Sequence, residues 1–150
     1  MKAIIEAVQD RLEPTPGIQY VDENWGQLDY YSPNFPVQWP CVLIDVNSIQ
    51  FSNIGMDKQA TPQNRQMGEY TLEIRIANLK LTNSSAKAPQ HQKNLARSIW
   101  TLIEEVHKLL QGFEPDDNCG KLIRTGISRV AREDGVQEYA VMYSGTVNNV

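Results

Sequence analysis

The segment Tyr70-Thr71-Leu72-Glu73-Ile74-Arg75-Ile76-Ala77-Asn78-Leu79 alternates apolar and polar side chains from its first residue to Ile76. Successive side chains of an extended chain point to opposite sides, so the alternation predicts a strand with one buried face. Tyr70, Leu72, Ile74 and Ile76 belong to that face, and Thr71, Glu73 and Arg75 to the other. An apolar sheet face needs a cover, and the chain supplies one downstream. Leu95, Ile99, Leu102, Val106, Leu109 and Phe113 recur at spacings of four and three, which on a helix form one narrow stripe. Pro89 suits a first turn, Lys108 a last turn, and Gly112 a C-terminal cap. One helix of about six turns, packed on the sheet, is expected.

Working outward, Cys41-Val42-Leu43-Ile44-Asp45-Val46 is apolar and β-branched, which predicts a buried strand whose pairing can continue to Ile54. Residues 55–68 are polar and framed by Gly55 and Gly68, the composition of a long loop or a protruding hairpin tip. After the hydrophilic turn Glu114–Gly120, two further strands run from Leu122 to Arg132 and from Gln137 to Val147. Asp134-Gly135 joins them, a pair suited to a tight hairpin turn. At the other end, residues 2–12 place Ile4, Ile5, Val8 and Leu12 on one side of a short helix, which Pro14, Pro16 and Gly17 end. The expectation is one α+β domain over residues 1–150. It has an antiparallel β-sheet, a short N-terminal helix and one long helix packed on one face, and a C-terminal β-hairpin.

A chain of 150 residues matches one domain with its own core. The net charge of −4 is unevenly placed, since residues 1–60 carry three basic and eight acidic side chains. Proteins that grip nucleic acid by its phosphates are basic, at least along a stripe, so that work is not expected here. Cys41 and Cys119, the only two cysteines, are expected as free thiols in a reducing compartment. The N-terminal stretch lacks the apolar run of a secretory signal, and no stretch approaches the ~18 apolar residues of a membrane span. A location in the cytoplasm, with no membrane partner, is the expectation.

The motifs of catalysis are missing from the sequence. No G-x-G-x-x-G and no Gly-Lys-Ser/Thr occurs, so no phosphate-cradling loop is expected. His91 and His107 would lie about 24 Å apart on a straight helix and cannot share an ion within one chain. Glu114, Asp116, Asp117 and Asn118 lack the glycine spacing of a calcium loop. Ser128 lacks the second glycine of a nucleophile elbow, and Cys41 and Cys119 sit in apolar and acidic settings that leave a thiol inert. Neither an enzymatic activity nor a cofactor is expected.

Binding candidates remain. The stretch from Trp25 to Trp39 carries Tyr30, Tyr31 and Phe35 among prolines; large rings suit either a loop tucked over the core or a protein interface. Trp100, with Ala96 and His107, lies off the main helical stripe and suits a wide buried face or a subunit contact. Lys121, Arg124, Arg129 and Arg132 divide between the faces of one strand, followed by Glu133, Asp134 and Glu138; a solvated or inter-subunit charge surface is expected. Trp25, Tyr30, Tyr31, Trp39, Glu73, Arg75, Trp100, Arg124 and Arg132 are therefore the candidate contact residues, with Glu73, Arg75, Arg124 and Arg132 expected to point outward.

The order of elements resembles one family over nearly the whole chain. A short amphipathic helix precedes an aromatic, proline-rich stretch ending Trp39-Pro40-Cys41-Val42-Leu43-Ile44. The strand Glu69–Ile76 follows a polar loop, the helix ends at Gln111-Gly112-Phe113, and the last hairpin runs through Glu138-Tyr139-Ala140-Val141-Met142-Tyr143. This is similar to the tail-terminator and tail-completion proteins of long-tailed bacteriophages and prophages. The resemblance implies a structural role: a ring, usually a hexamer, that caps the tail tube and presents a surface to the head-side connector. The implied partners are copies of the chain itself, the tail-tube protein and the connector, with DNA only passing through a sheet-lined lumen. The implied setting is the bacterial host cytoplasm during assembly and then the virion tail. A head-to-tail connector or neck protein is the nearest alternative. A cytoplasmic ligand-binding module with an aromatic pocket of Trp25, Tyr30, Tyr31 and Trp39 is the alternative from another class, and a hydrolase comes third.

Overall fold

The computed structural model describes residues 1–30, 36–79 and 84–150. Helix α1 (Lys2–Leu12) is followed by β1 (Tyr20–Glu23), a 3-10 turn at Gln27–Asp29, and the long strands β2 (Cys41–Met56) and β3 (Asn64–Leu79). Helices α2 (Gln90–Ala96) and α3 (Ser98–Leu110) then lead to β4 (Ile123–Val130) and β5 (Val136–Val147). The five strands form one sheet in the order β1-β2-β3-β5-β4.

The class is α+β, but the sheet is mixed. β1 runs parallel to β2, with Tyr20 opposite Cys41 and Glu23 opposite Ile44, while all other neighbours are antiparallel. Four residues of β1 carry too little alternation to be seen in the sequence. The polar segment 55–68 also divides differently. Asn64–Gly68 pair with β2, so only residues 57–63 form the tip of a long two-stranded arm. The β4–β5 connection is longer than a two-residue turn. Of Asp134 and Gly135 only Gly135 has a positive φ, at +79°, and the Asp134 carboxylate accepts the Val136 N–H.

The alternation in β3 does what side-chain geometry requires. Tyr70, Leu72, Ile74 and Ile76 join Val42, Ile44, Val141 and Tyr143 in one core, covered by Ile4, Val8 and Leu12 of α1 and by Ile99, Leu102, Ile103, Val106 and Leu110 of α3. Burying apolar surface at ~25 cal/mol per Å² makes this contact the main source of stability. Gly145 is required there, because a Cβ would stand 2.5 Å from the Tyr70 ring. The expected single long helix is broken at Arg97, whose φ of −103° and ψ of 13° leave the helical range. The break turns Ala96 inward and leaves Leu95 more than half exposed, so Leu95 does not belong to the stripe. Gly112 ends α3 at φ +77° and donates its N–H to the Leu122 carbonyl at 2.8 Å. That bond ties the helix end to the entry of β4.

Among the described residues the opposite sheet face is covered only in part. Leu28 and Val37 pack on Cys41, Leu43 and Ala77, with Tyr20, Trp39 and Val136 at the margin. Both cysteines are buried free thiols, and burial beside Glu138 pushes the Cys41 thiol up to about 12.

Candidate functional site

On the face away from the helices, three of the four side chains expected as outward charges, Glu73, Arg75 and Arg132, close into a network. Glu73 is buried and Glu138 is more so. Arg75 donates from Nε to Glu73 Oε1 at 2.7 Å and from Nη1 to Glu138 Oε2 at 2.8 Å. Arg132 donates to the other Glu138 oxygen at 3.0 Å and to Asp134 at 2.6 Å. It also pairs with Asp29 at 3.1 Å and donates to the Leu28 carbonyl at 2.9 Å. A buried carboxylate needs such partners, because an unpaired charge out of water is costly. The Asp134 hydrogen bond, opposed by burial, holds the Arg132 guanidinium above its ordinary range, and the same bond holds the Asp134 carboxyl low. For Arg75, burial pulls the pKa down, but Glu73 and Glu138 outweigh it and the guanidinium is raised.

Glu73, Arg75 and Arg132 therefore do not offer outward charges to a neighbouring subunit. They tie β3, β5, the β4–β5 connection and the turn at Leu28–Asp29 together. Alternation placed Glu73 and Arg75 on the non-helical face, and only the pairing of distant strands shows that this part of the face is closed. A cleft of about 490 Å³ beside the network is lined by Asp29, Arg75, Arg132 and Asp134, among others, and by no aromatic ring among the described residues.

Arg124 lies on the helix side, where its N–H bonds Gln111 Oε1 at 2.9 Å. Burial, and then the nearby Arg124 charge, lower the pKa of His107, whose Nδ1 is 3.2 Å from the Tyr143 hydroxyl. Trp100 is half exposed, with its ring 4.7 Å from that of Tyr139. Ile127 of β4, on the same sheet face, is exposed beyond it.

The aromatic candidates are separated. Trp25 and Tyr30 form an exposed edge-to-face pair, 5.9 Å between centroids, on a turn that Gly26 makes at φ +91°. Buried Gln27 holds this turn by accepting the Trp25 N–H and donating to the Glu23 carbonyl. Trp39 instead lies against the second apolar cluster, and Tyr31 lies outside the described residues. The rings of Trp25, Tyr30 and Trp39 thus do not meet in one described pocket.

Two further surfaces lie outside the candidate contact residues. Ser48, Gln50, Glu69, Thr71, Ser144 and Thr146 line a shallow depression of about 400 Å³ on the non-helical face, with hydroxyls and amides and no lysine or arginine. The β2–β3 arm exposes Phe51, Ile54 and Met56, each by half or more. The alternating polar residues of β5 and the apolar residues between Ser48 and Met56 were visible signals for both. Among the described residues no group of three or more His, Cys, Asp and Glu side chains could hold a metal ion, and no helix is long and apolar enough to cross a membrane.

No family model matches the chain, and no curated protein matches it. A chain from the virion of a native gene transfer agent (GTA) particle is similar in structure. That likeness covers 99% of this chain and 93% of the other, with a TM-score of 0.48 and 9% identity. So distant a likeness carries no argument about function.

Proposed function

We propose that this chain is a structural protein of a bacteriophage or prophage tail, a terminator whose ring caps the tail tube and meets the head-side connector. The carrying observation is the contrast between the two faces of the sheet. Helices cover one face, while a depression on the other presents Ser48, Gln50, Thr71, Ser144 and Thr146 with one acid, Glu69, and no basic residue, and Arg75 and Arg132 of that face are held by buried carboxylates. A lumen wall that DNA must slide past needs a polar surface without cations, since each phosphate contact would hold the duplex. The half-exposed apolar residues Phe51, Ile54, Met56, Trp100 and Ile127 give a subunit of a ring the contacts it needs. The partners in this proposal are further copies of the chain, the tail-tube protein and the connector. Assembly takes place in the host cytoplasm, and the role is not catalytic.

The test is to mix the purified protein with cognate tail tubes and look for a terminal ring by electron microscopy, with native mass spectrometry of the concentrated protein alongside. Rings at tube ends are the expected result. A chain that stays monomeric at millimolar concentration and ignores tubes would sink the proposal. The connector alternative predicts rings that bind the head-side partner and not the tube. The separation of Trp25 and Tyr30 from Trp39 weighs against the aromatic-pocket module.

A further inference from the structure

Among the described residues the sheet has two unoccupied edges, and they differ. β1 covers the outer edge of β2 only from Cys41 to Ile44, with one further bond from the Asn24 N–H to the Ile44 carbonyl at 2.8 Å. Beyond that point no described strand lies against β2. The eleven residues Val46–Met56 hold no charged residue and no proline, which are the usual devices for keeping an edge from pairing. At the opposite edge no described strand lies against the outer side of β4. It exposes Ile123 and Ile127 and carries Arg124 and Arg129 but no acid.

We infer that these two edges pair with one another between copies of this chain, β4 of one subunit adding antiparallel to the Val46–Met56 edge of β2 in the next. The inference rests on the ring proposed above and names its interface. Three observations choose a second copy as the occupant. First, β2, β3, β5 and β4 alternate in direction, so β4 runs opposite to β2. Rotation about an axis along the strands preserves that sense and makes the new pair antiparallel.

Second, the offset closes. Through the sheet, Val130 is level with Cys41 and Ile123 with Ser48, so β4 clears β1 only when the neighbour slides roughly four to six residues along the strand. That is about 13–20 Å at the rise of a strand, against about 19 Å of width for four strands. The resulting tilt of roughly 35–45° is the tilt at which sheets close into barrels. The sense of the offset is also the one a right-handed tilt needs when the two crossovers, β1 to β2 over the non-helical face and β3 to β4 over the helical face, follow the right-handed rule. Third, directly opposed residues share a face, which restricts the offset to even steps. A four-residue step sets Ile127 opposite Ile49, Ser128 opposite Ser48 and Arg124 opposite Phe51. The face with Ser48, Thr71 and Ser144 then lies inward and the helices outward.

The test carries Ser128→Cys with Ser48→Cys in one chain, and Ser128→Cys with Gln50→Cys in a second to cover the six-residue step. Each is treated with a short bis-maleimide at the concentration where rings form. Opposed Cβ atoms about 5 Å apart are within its reach, and native Cys41 and Cys119 are buried. The expected result is a ladder of covalent oligomers on a denaturing gel, ending at the ring size, in one of the two double variants. The three single variants give no ladder. Rings seen by native mass spectrometry with no ladder in either double variant would overturn the edge pairing and leave the ring standing. Cross-linking of Ser48→Cys to the tail-tube protein alone would overturn it too, by making another protein's strand the occupant. Absence of both rings and tube binding would remove the ring proposal and this inference with it.

Discussion

Cys41–Ile44 and Val46–Met56 are consecutive parts of one strand in opposite surroundings. The first four residues are fully buried, with neighbours on both edges and cover on both faces. The later residues have a described strand on one side only and are mostly exposed, and the apolar ones include Phe51, Ile54 and Met56. A strand buried on both faces reads as a continuous apolar run, whereas an exposed one does not. The comparison separates what holds the chain together from what is left to meet something else.

The largest effect expected lies at the body end, in the ion network. Arg132→Glu should cost about 3–5 kcal/mol in denaturant unfolding, because it removes one of the two arginine partners of buried Glu138, Arg75 being the other, and adds a like charge beside it. The sequence alone makes Arg132 an outward charge in a candidate contact surface. A loss under about 1 kcal/mol would restore that view and break the distinction between body and arm.

Leu102→Ala should cost about 2–5 kcal/mol, through lost transfer energy and the cavity left between α3 and β3. Chemical denaturation checks it, and an effect below about 1 kcal/mol would mean that the body core is not where the stability lies. Phe51→Ser on the arm should change stability by less than about 0.5 kcal/mol while lowering the fraction assembled in native mass spectrometry. Hydrogen exchange sharpens the same contrast. Residues 57–63 should label early, whereas Gly68 and Tyr70, between β2 and β5, should be protected. Uniform fast exchange from 57 to 70 would show that the arm does not extend the sheet.

The smallest effect concerns pH. The folded pKa of His107 is depressed below its ordinary 6.5, by burial and then by Arg124. Below pH ~6.5 the unfolded chain therefore binds the proton more readily, and folding stability falls as the pH drops from there. His107→Gln should flatten stability measured between pH 7 and 5, and an unchanged slope would assign that slope to other groups.

Particular elements show how much was legible. Residues 2–12, 41–46 and 70–79 were readable because a helix or strand with one buried side imposes its period locally. The stripe from Ile99 to Val106 was readable for the same reason, and Leu95 was misplaced because the break at Arg97 carries no proline or glycine to announce it. Of the nine candidate contact residues, Trp25, Tyr30 and Trp100 are exposed, and Glu73, Arg75 and Arg132 are engaged inside the molecule.

The sequence settled the types of the main elements, the apolar face of the sheet and part of its cover, namely Ile4, Val8 and Leu12 of α1 and Ile99, Leu102 and Val106 of α3. These follow from the spacing of neighbours along the chain, which sets which side of a strand or helix each residue occupies. The tertiary structure alone decided that β1 joins parallel, that β4 sits at the far edge beyond β5, and that Arg75 reaches Glu138 across 63 positions. Those pairings depend on which distant strands meet, and a charge has the same local pattern whether its partner is water or a buried carboxylate.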